Sequence, residues 1–290
     1  MLLPAVLIVL VFIYIPMTGL VLAFKNYQYN LGVFASPWVG FDNFRYFFES
    51  GTGLKITWNT VFFNVINLLT SQGLAIIIAI IFNEMRARYF KKLSQSVIFL
   101  PYFISWIIVG AFIYNIFDYN SGMLNASIKA LGGQPLDMYN ADNAGLWVLV
   151  IMFFNSWKWV GYNSIIYIAA ITGVDQECYE AADIDGANIF QKIRSVTMPA
   201  ILPTIVVILL LNVGRLLRGD FQMYYQIVGN NGQLFDTTDV IDTFVFRSLI
   251  STGDIGMTAA ATFYQSVFCF VTIMVVNRIV KKTNPDYALF

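Results

Sequence analysis

The residues in this 290-residue chain that could do chemistry are few, and they sit in apolar company. The stretch FFNSWKWVGYN places Asn155, Ser156, Lys158 and Asn163 among Trp157, Trp159 and Tyr162. A second stretch, VGRLLRGDFQMYYQ, carries Arg215, Arg218 and Asp220, with the two arginines three apart and so on one face of a helix. Amides and guanidinium groups hydrogen-bond hydroxyls and carboxylates, and aromatic faces stack on sugar rings. The chemistry on offer is therefore recognition. Bond making lacks its usual tools, because histidine is absent and there is no Ser/His/Asp set, HExxH helix or GxxxxGK[ST] phosphate loop. The two cysteines, Cys178 and Cys269, lie in a polar and an apolar segment, which argues against a disulfide or a zinc site. Catalytic residues, metal and cofactor are all expected to be absent.

The elements that must position these groups are set by composition. The chain is 58% hydrophobic, 17% aromatic and only 12% charged, which is the make-up of a bilayer protein, and its formal net charge is +0. With about 20 residues needed to cross the hydrocarbon core, six spans are predicted, at 2–24, 61–83, 97–117, 146–171, 201–218 and 259–280. All should be helices, because unpaired backbone amides in lipid are too costly for open structure. The predicted fold is a single all-α polytopic transmembrane domain. The first span lacks a basic leader and a small-residue cleavage site, so it reads as retained, and its abrupt apolar start is consistent with a natural N-terminus further upstream.

A charge inside such a span is costly unless it faces a protein partner or a water-filled path. Two readings of Asn155, Trp157, Lys158, Trp159, Tyr162, Asn163, Arg215, Arg218 and Asp220 follow. They line a path for a polar solute, or the cations snorkel and pair internally, Asp220 neutralising one arginine and the tryptophans acting as anchors. If the arginines line a path, an acidic solute becomes attractive, while a neutral one stays possible.

Basic residues orient the chain. Arg86, Arg88, Lys91 and Lys92 fall between spans two and three, Lys192 and Arg194 between four and five, and Arg278, Lys281 and Lys282 in the tail. The opposite loops hold fewer, Lys25, Arg45, Lys55, Lys129 and Arg247, over more residues. Both termini are therefore predicted in the cytoplasm of a cell-membrane protein. The cytoplasmic loop at 175–199 then has its own design. Asp175 is a plausible N-cap, Glu177 and Glu180 favour the start of a helix running to Asp185, and Gly186 stops or bends it. A further turn or two at 188–194 precedes Pro199 and Pro203, where the chain re-enters the membrane. Tyr179, Ala182 and Gly186 share a face whose small residues admit a close neighbour. The plain alternative is a solvated helical loop.

Within that loop Glu180, Ala181, Ala182 and Gly186, followed by Val196-Thr197-Met198-Pro199, resemble the Glu-Ala-Ala motif of ABC importer permeases, with Val and Met where the family has Ile and Leu. Asp185-Gly186-Ala187 is similar to the extension found in carbohydrate permeases, and WVGFDNF at 38–44 and TDVIDTFVFR at 238–247 look like the subgroup importing oligosaccharides or polysaccharide fragments. The resemblance covers essentially the whole chain. It implies that Glu180, Ala181, Ala182, Asp185, Gly186, Ala187 and Pro199 dock a cytoplasmic ATPase. It further implies a second homologous permease subunit, two ATP-binding chains and an extracytoplasmic solute-binding protein, with a saccharide passed inward by alternating access. The ATPase should be a separate polypeptide, since no Walker motif is present. An importer permease for a peptide or amino acid is the alternative; a self-contained secondary transporter would show an inverted repeat, which is not apparent.

Three weaker signals complete the reading. Asn125-Ala126-Ser127 has the spacing of a glycosylation acceptor, a pattern that arises readily by chance. The outer segment 36–48 is aromatic-rich and suited to the membrane surface, and the outer stretch 229–247 is long enough either to touch a binding protein or to pack as a lid.

Overall fold

The computed structural model of the protein describes residues 2–49, 51–85 and 87–289, so Arg86 lies outside the described residues. Helices account for nearly all of the regular structure; among the described residues the β pairing is an isolated bridge between Lys25 and Trp38. Helix α1 runs over Leu3–Phe24 and a short α2 over Asp42–Glu49. The long α3 spans Thr52–Glu84, and α4 (Arg88–Phe103) meets α5 (Trp106–Phe117) at a sharp bend. Helix α6 covers Leu146–Thr172, α7 Gln176–Ile184 and α8 Ile189–Val213. Beyond it come α9 (Phe221–Val228), α10 (Ile241–Ser251) and α11 (Ile255–Thr283).

Four of these, α1, α3, α8 and α11, are single helices long and apolar enough to cross a membrane, and the bent pair α4 and α5 brings the number to five. The remaining predicted span, α6, has the length at 27 residues, but Asn155, Ser156, Lys158, Asn163 and Ser164 dilute its hydropathy. The protein is a multi-pass membrane protein, as expected.

Several boundaries differ from the sequence reading, each for a physical reason. The second span begins at Thr52 rather than 61, because a helix outlasts the stretch of it that is apolar. The third, expected as one helix over 97–117, is bent by 91° between Phe103 and Trp106. Pro101 tightens the end of α4 into a 3-10 turn, and Ser105 restarts the chain as N-cap of α5, accepting from the Ile108 N–H at 3.4 Å. The fifth stops at Val213 instead of 218. At its entrance the turns expected over 188–194 are present and run on without a break into α8 from Ile189, widening to a π turn over Ile193–Thr197 just before the amide-less Pro199.

Packing follows side-chain size. Helices α3 and α6 lie together along Ala75, Ala79, Val160, Tyr167 and Ile171, with Ile201 of α8 closing the cluster. Gly161 lets α4 reach α6, since a Cβ there would stand 2.2 Å from the Ile98 carbonyl oxygen. A second cluster joins α5, α6 and α9 through Trp106, Ile113, Trp147, Met223 and Tyr224. Asn125, offered as a glycosylation acceptor, is buried instead: its amide donates to the Tyr119 and Leu136 carbonyls at 3.1 and 2.9 Å and accepts from the Leu136 N–H at 2.8 Å. In the segment that follows α1, Lys25 is buried under Trp38 and donates to the Val33 and Phe34 carbonyls, while Trp38, Phe41 and Tyr46 stay exposed.

Candidate functional site

A cavity of about 550 Å³ opens between α3, α6 and the far end of α8. Of the residues singled out from sequence, Asn155, Trp159, Tyr162, Asn163, Arg215, Arg218 and Asp220 line it together. Helix α6 supplies the first four at helical spacing. Tyr102, at the end of α4, stacks on Tyr162 with ring centroids 4.6 Å apart and meets Trp159 edge-on at 5.5 Å, which makes an aromatic wall.

The facing wall was not anticipated. Helix α3 contributes Asn64, Asn67, Ser71 and Gln72, and α8 adds Asn212. The signal was there: positions 64, 67, 71 and 72 recur at intervals of three, four and one, a polar stripe on one helix face inside an otherwise apolar run. The stripe is cross-linked to α6, Asn163 Nδ2 donating to Ser71 Oγ at 3.2 Å and Tyr167 OH to Gln72 Oε1 at 2.8 Å. Asn67 Oδ1 is buried without a hydrogen-bond partner among the described residues.

At the end of α8 the chain leaves the helix, and Arg215 and Arg218 ride on turns rather than on a helix face. Both side chains belong to exposed residues, and neither forms an ion pair within 4.0 Å among the described residues. Asp220, expected to neutralise one of them, does other work. Its carboxylate accepts from Trp106 Nε1 at 2.8 Å and from the Met223 N–H at 3.2 Å, capping α9. Asp242 lies near Arg218; burial pushes its carboxyl up, and the Gly219 N–H, the Gln265 amide and the Arg218 charge pull it back down.

Lys158 and Trp157 do not line the cavity. The lysine turns toward the bend between α4 and α5, where Nζ donates to the Tyr102 carbonyl at 3.2 Å and to the Ile104 carbonyl, and sits 5.1 Å above the Trp106 ring. The carbonyls freed by the bend thus receive a cation. Trp157 packs against the α5, α6 and α9 cluster beside Phe154.

At the opposite end of α8 lies the segment 175–199. Asp175 caps α7, accepting from the Glu177 N–H at 3.0 Å, and Asn188 with Gln191 forms a capping box at the start of α8. Between them Gly186 takes φ 72°, a left-handed turn that favours glycine, with open space where a side chain would point. Two contacts staple α7 to α8: Tyr179 OH with Thr197 Oγ1 at 3.0 Å, and Lys192 with Asp183 at 2.8 Å. The Tyr179 face is thereby turned inward. Glu180, Ala181, Asp185 and Pro199 are left exposed, and Ala182 and Ala187 half-buried, with the Ala187 N–H on the Ala182 carbonyl at 2.9 Å. Ile184 and Phe190, unremarked in the sequence, stand 87% and 79% exposed, with Ile189 beside them at 44%, an apolar patch on this segment.

The arrangement is shared with known proteins. Residues 73–285 match the binding-protein-dependent transport system inner membrane component family. Protein LplB of Bacillus subtilis is 34% identical over 286 residues, covering 99% of this chain and 89% of that protein. The polygalacturonan/rhamnogalacturonan transport system permease protein YteP of the same organism is 32% identical over 288 residues, covering 99% and 88%. A chain from the crystal structure of a bacterial ABC transporter involved in the import of the acidic polysaccharide alginate superposes with a TM-score of 0.87 at 29% identity, over 98% of this chain and 94% of that one.

Proposed function

We propose, from the premise that this chain belongs to the binding-protein-dependent transport system inner membrane component family, that it forms one half of the membrane pathway of an ATP-driven importer for an oligosaccharide or polysaccharide fragment. A second, homologous permease subunit supplies the other half. Two copies of a separate ATP-binding subunit drive the cycle from the cytoplasm, where both termini lie, and an extracytoplasmic solute-binding protein delivers the saccharide. The related alginate transporter has been crystallised with its pentasaccharide-bound periplasmic protein, which supports that last partner.

The observation that carries this reading is the cavity. Its walls offer neutral amides and hydroxyls for sugar hydroxyls, a stacked aromatic face for pyranose rings and two arginines without an ion pair among the described residues, a lining that suits a saccharide. The arginines favour a substrate bearing carboxylates, as polygalacturonan and alginate, named for two of the relatives' transporters, do. Alternating access then moves the opening from one side of the cavity to the other. The segment 175–199 is the coupling element: Glu180 and Asp185 supply charge, Ala181, Ala182 and Ala187 close approach, Gly186 the turn, and Pro199 the re-entry, with Ile184 and Phe190 as the apolar contacts seated in the ATPase.

The test is to purify the chain with its partners from native membranes and to measure ATP turnover with uronate and neutral oligosaccharides of equal length. Stimulation confined to uronates supports the arginines as substrate contacts, and stimulation confined to neutral sugars removes them. Absence of a co-purifying ATPase would overturn the coupling assignment. Gly186→Val, forced into a conformation that β-branched residues avoid, is expected to abolish saccharide-linked ATP turnover while the chain still inserts.

A further inference from the structure

Beyond α8 the chain leaves the helix in a run of turns, and its backbone groups are taken up by side chains from three other helices. Asn64 of α3 donates to the Leu216 carbonyl at 2.8 Å and to the Arg218 carbonyl at 3.2 Å. Gln265 of α11, 5% exposed, donates to the Leu217 carbonyl and to Asp242 Oδ2 at 3.0 Å. That same carboxylate oxygen, on α10, accepts the Gly219 N–H at 2.7 Å. From 216 to 219 three successive carbonyls and one N–H are thus bound, none of them by a backbone partner among the described residues. Leu217 is buried against Ile241 and Ala261 in the same cluster, so the backbone is anchored on its apolar side as well.

We propose that Asn64, Asp242 and Gln265 are positioning residues that pin the 216–219 backbone and thereby present Arg215 and Arg218 to the cavity, which makes them determinants of substrate specificity without touching substrate through Asp242 or Gln265. What the arginines recognise rests on the functional reading above; how they are held does not. The clamp is geometric rather than ionic. Asp242 holds the loop through Oδ2 as an acceptor, and an amide oxygen at the same place accepts equally well. Helix α8 ends where it does because the sheltered backbone groups beyond Val213 have found better-placed partners than their own helix.

The clamp can be separated from the transport reading in one experiment on the complete complex in membrane vesicles. The variant Arg218→Cys, combined with Cys178→Ser, is treated with a membrane-impermeant methanethiosulfonate, Cys269 being buried. Adding Gln265→Ala or Asn64→Leu is expected to change the labelling rate about tenfold, the scale of one lost buried hydrogen bond to a backbone group. Adding Asp242→Asn should leave it within about twofold, whereas Asp242→Ala should match Gln265→Ala. In the chain that keeps Arg218, Gln265→Ala should raise KM for a galacturonate pentasaccharide about tenfold with kcat retained, a split that a general loss of folding would not give. Unchanged labelling in both Gln265→Ala and Asn64→Leu overturns the clamp, as does Asp242→Asn behaving like Asp242→Ala, which would make the contact ionic. Labelling that shifts as stated while KM moves for no saccharide leaves the clamp standing and removes the saccharide path. The two single variants come from different helices, so failure of one to assemble still leaves the other to decide.

Discussion

At two places, the bend between α4 and α5 and the turns beyond α8, backbone groups leave a membrane helix, and they are satisfied in opposite ways. At the bend between α4 and α5 the bare carbonyls of Tyr102 and Ile104 face a buried lysine, and the charge is used up inside the protein. Beyond α8 the bare groups of 216–219 face two amides and a carboxylate, and the nearby charges, Arg215 and Arg218, are left on display. The lesson is that an intramembrane cation is not by itself a sign of function. What matters is whether the backbone has already claimed it. Trp106 joins the two breaks, offering its ring to Lys158 and its Nε1–H to Asp220.

The contrast can be broken by substitution. Lys158→Met should have the largest effect, because it strips a charged donor from two buried carbonyls; a loss of about 3 kcal/mol is expected, read as a lower melting midpoint of the purified complex. An unchanged midpoint would put both breaks in the same class. Removing both displayed charges, Arg215→Ala with Arg218→Ala, should leave melting nearly untouched and lower uronate uptake at least tenfold, with neutral sugars within about twofold. Equal losses for every saccharide would show that the arginines act structurally. Trp106→Phe keeps the face under Lys158 but loses the 2.8 Å bond to Asp220, so about 1.5 kcal/mol should go, and with it some order at the start of α9, visible as faster amide exchange there. The smallest effect is expected for Ser105→Ala, about 1 kcal/mol for a lost N-cap and no change in substrate preference.

Much of the site was legible in the sequence because polar residues stand out in apolar runs. Asn155, Trp159, Tyr162 and Asn163 were visible on α6, and the arginine pair was visible beside its two glycines. The stripe at 64, 67, 71 and 72 escaped because a mean over about 20 residues carries no information about which face each residue is on, and the apolar run at 73–82 keeps the span's hydropathy high. The 91° bend escaped for another reason. Pro101 permits a break but does not demand one, and the lysine that stabilises it comes from 54 positions along the chain. Lys158 was expected to face either a protein partner or a water-filled path; that it turns to backbone carbonyls is a tertiary fact. The caps at Asp175 and the turn at Gly186 were local, and the sequence states local things well.

The continuity of α8 has a mechanical consequence. Its 25 residues, at about 1.5 Å each, make a rod nearly 40 Å long, with Phe190 at one end and the arginine-bearing turns just past the other. A tilt of only about 5° about one end carries the other about 3 Å, the width of a hydrogen bond. On the proposed coupling, this one helix, with its π turn and Pro203, ties the apolar knob at its base to the fit of the cavity at its tip.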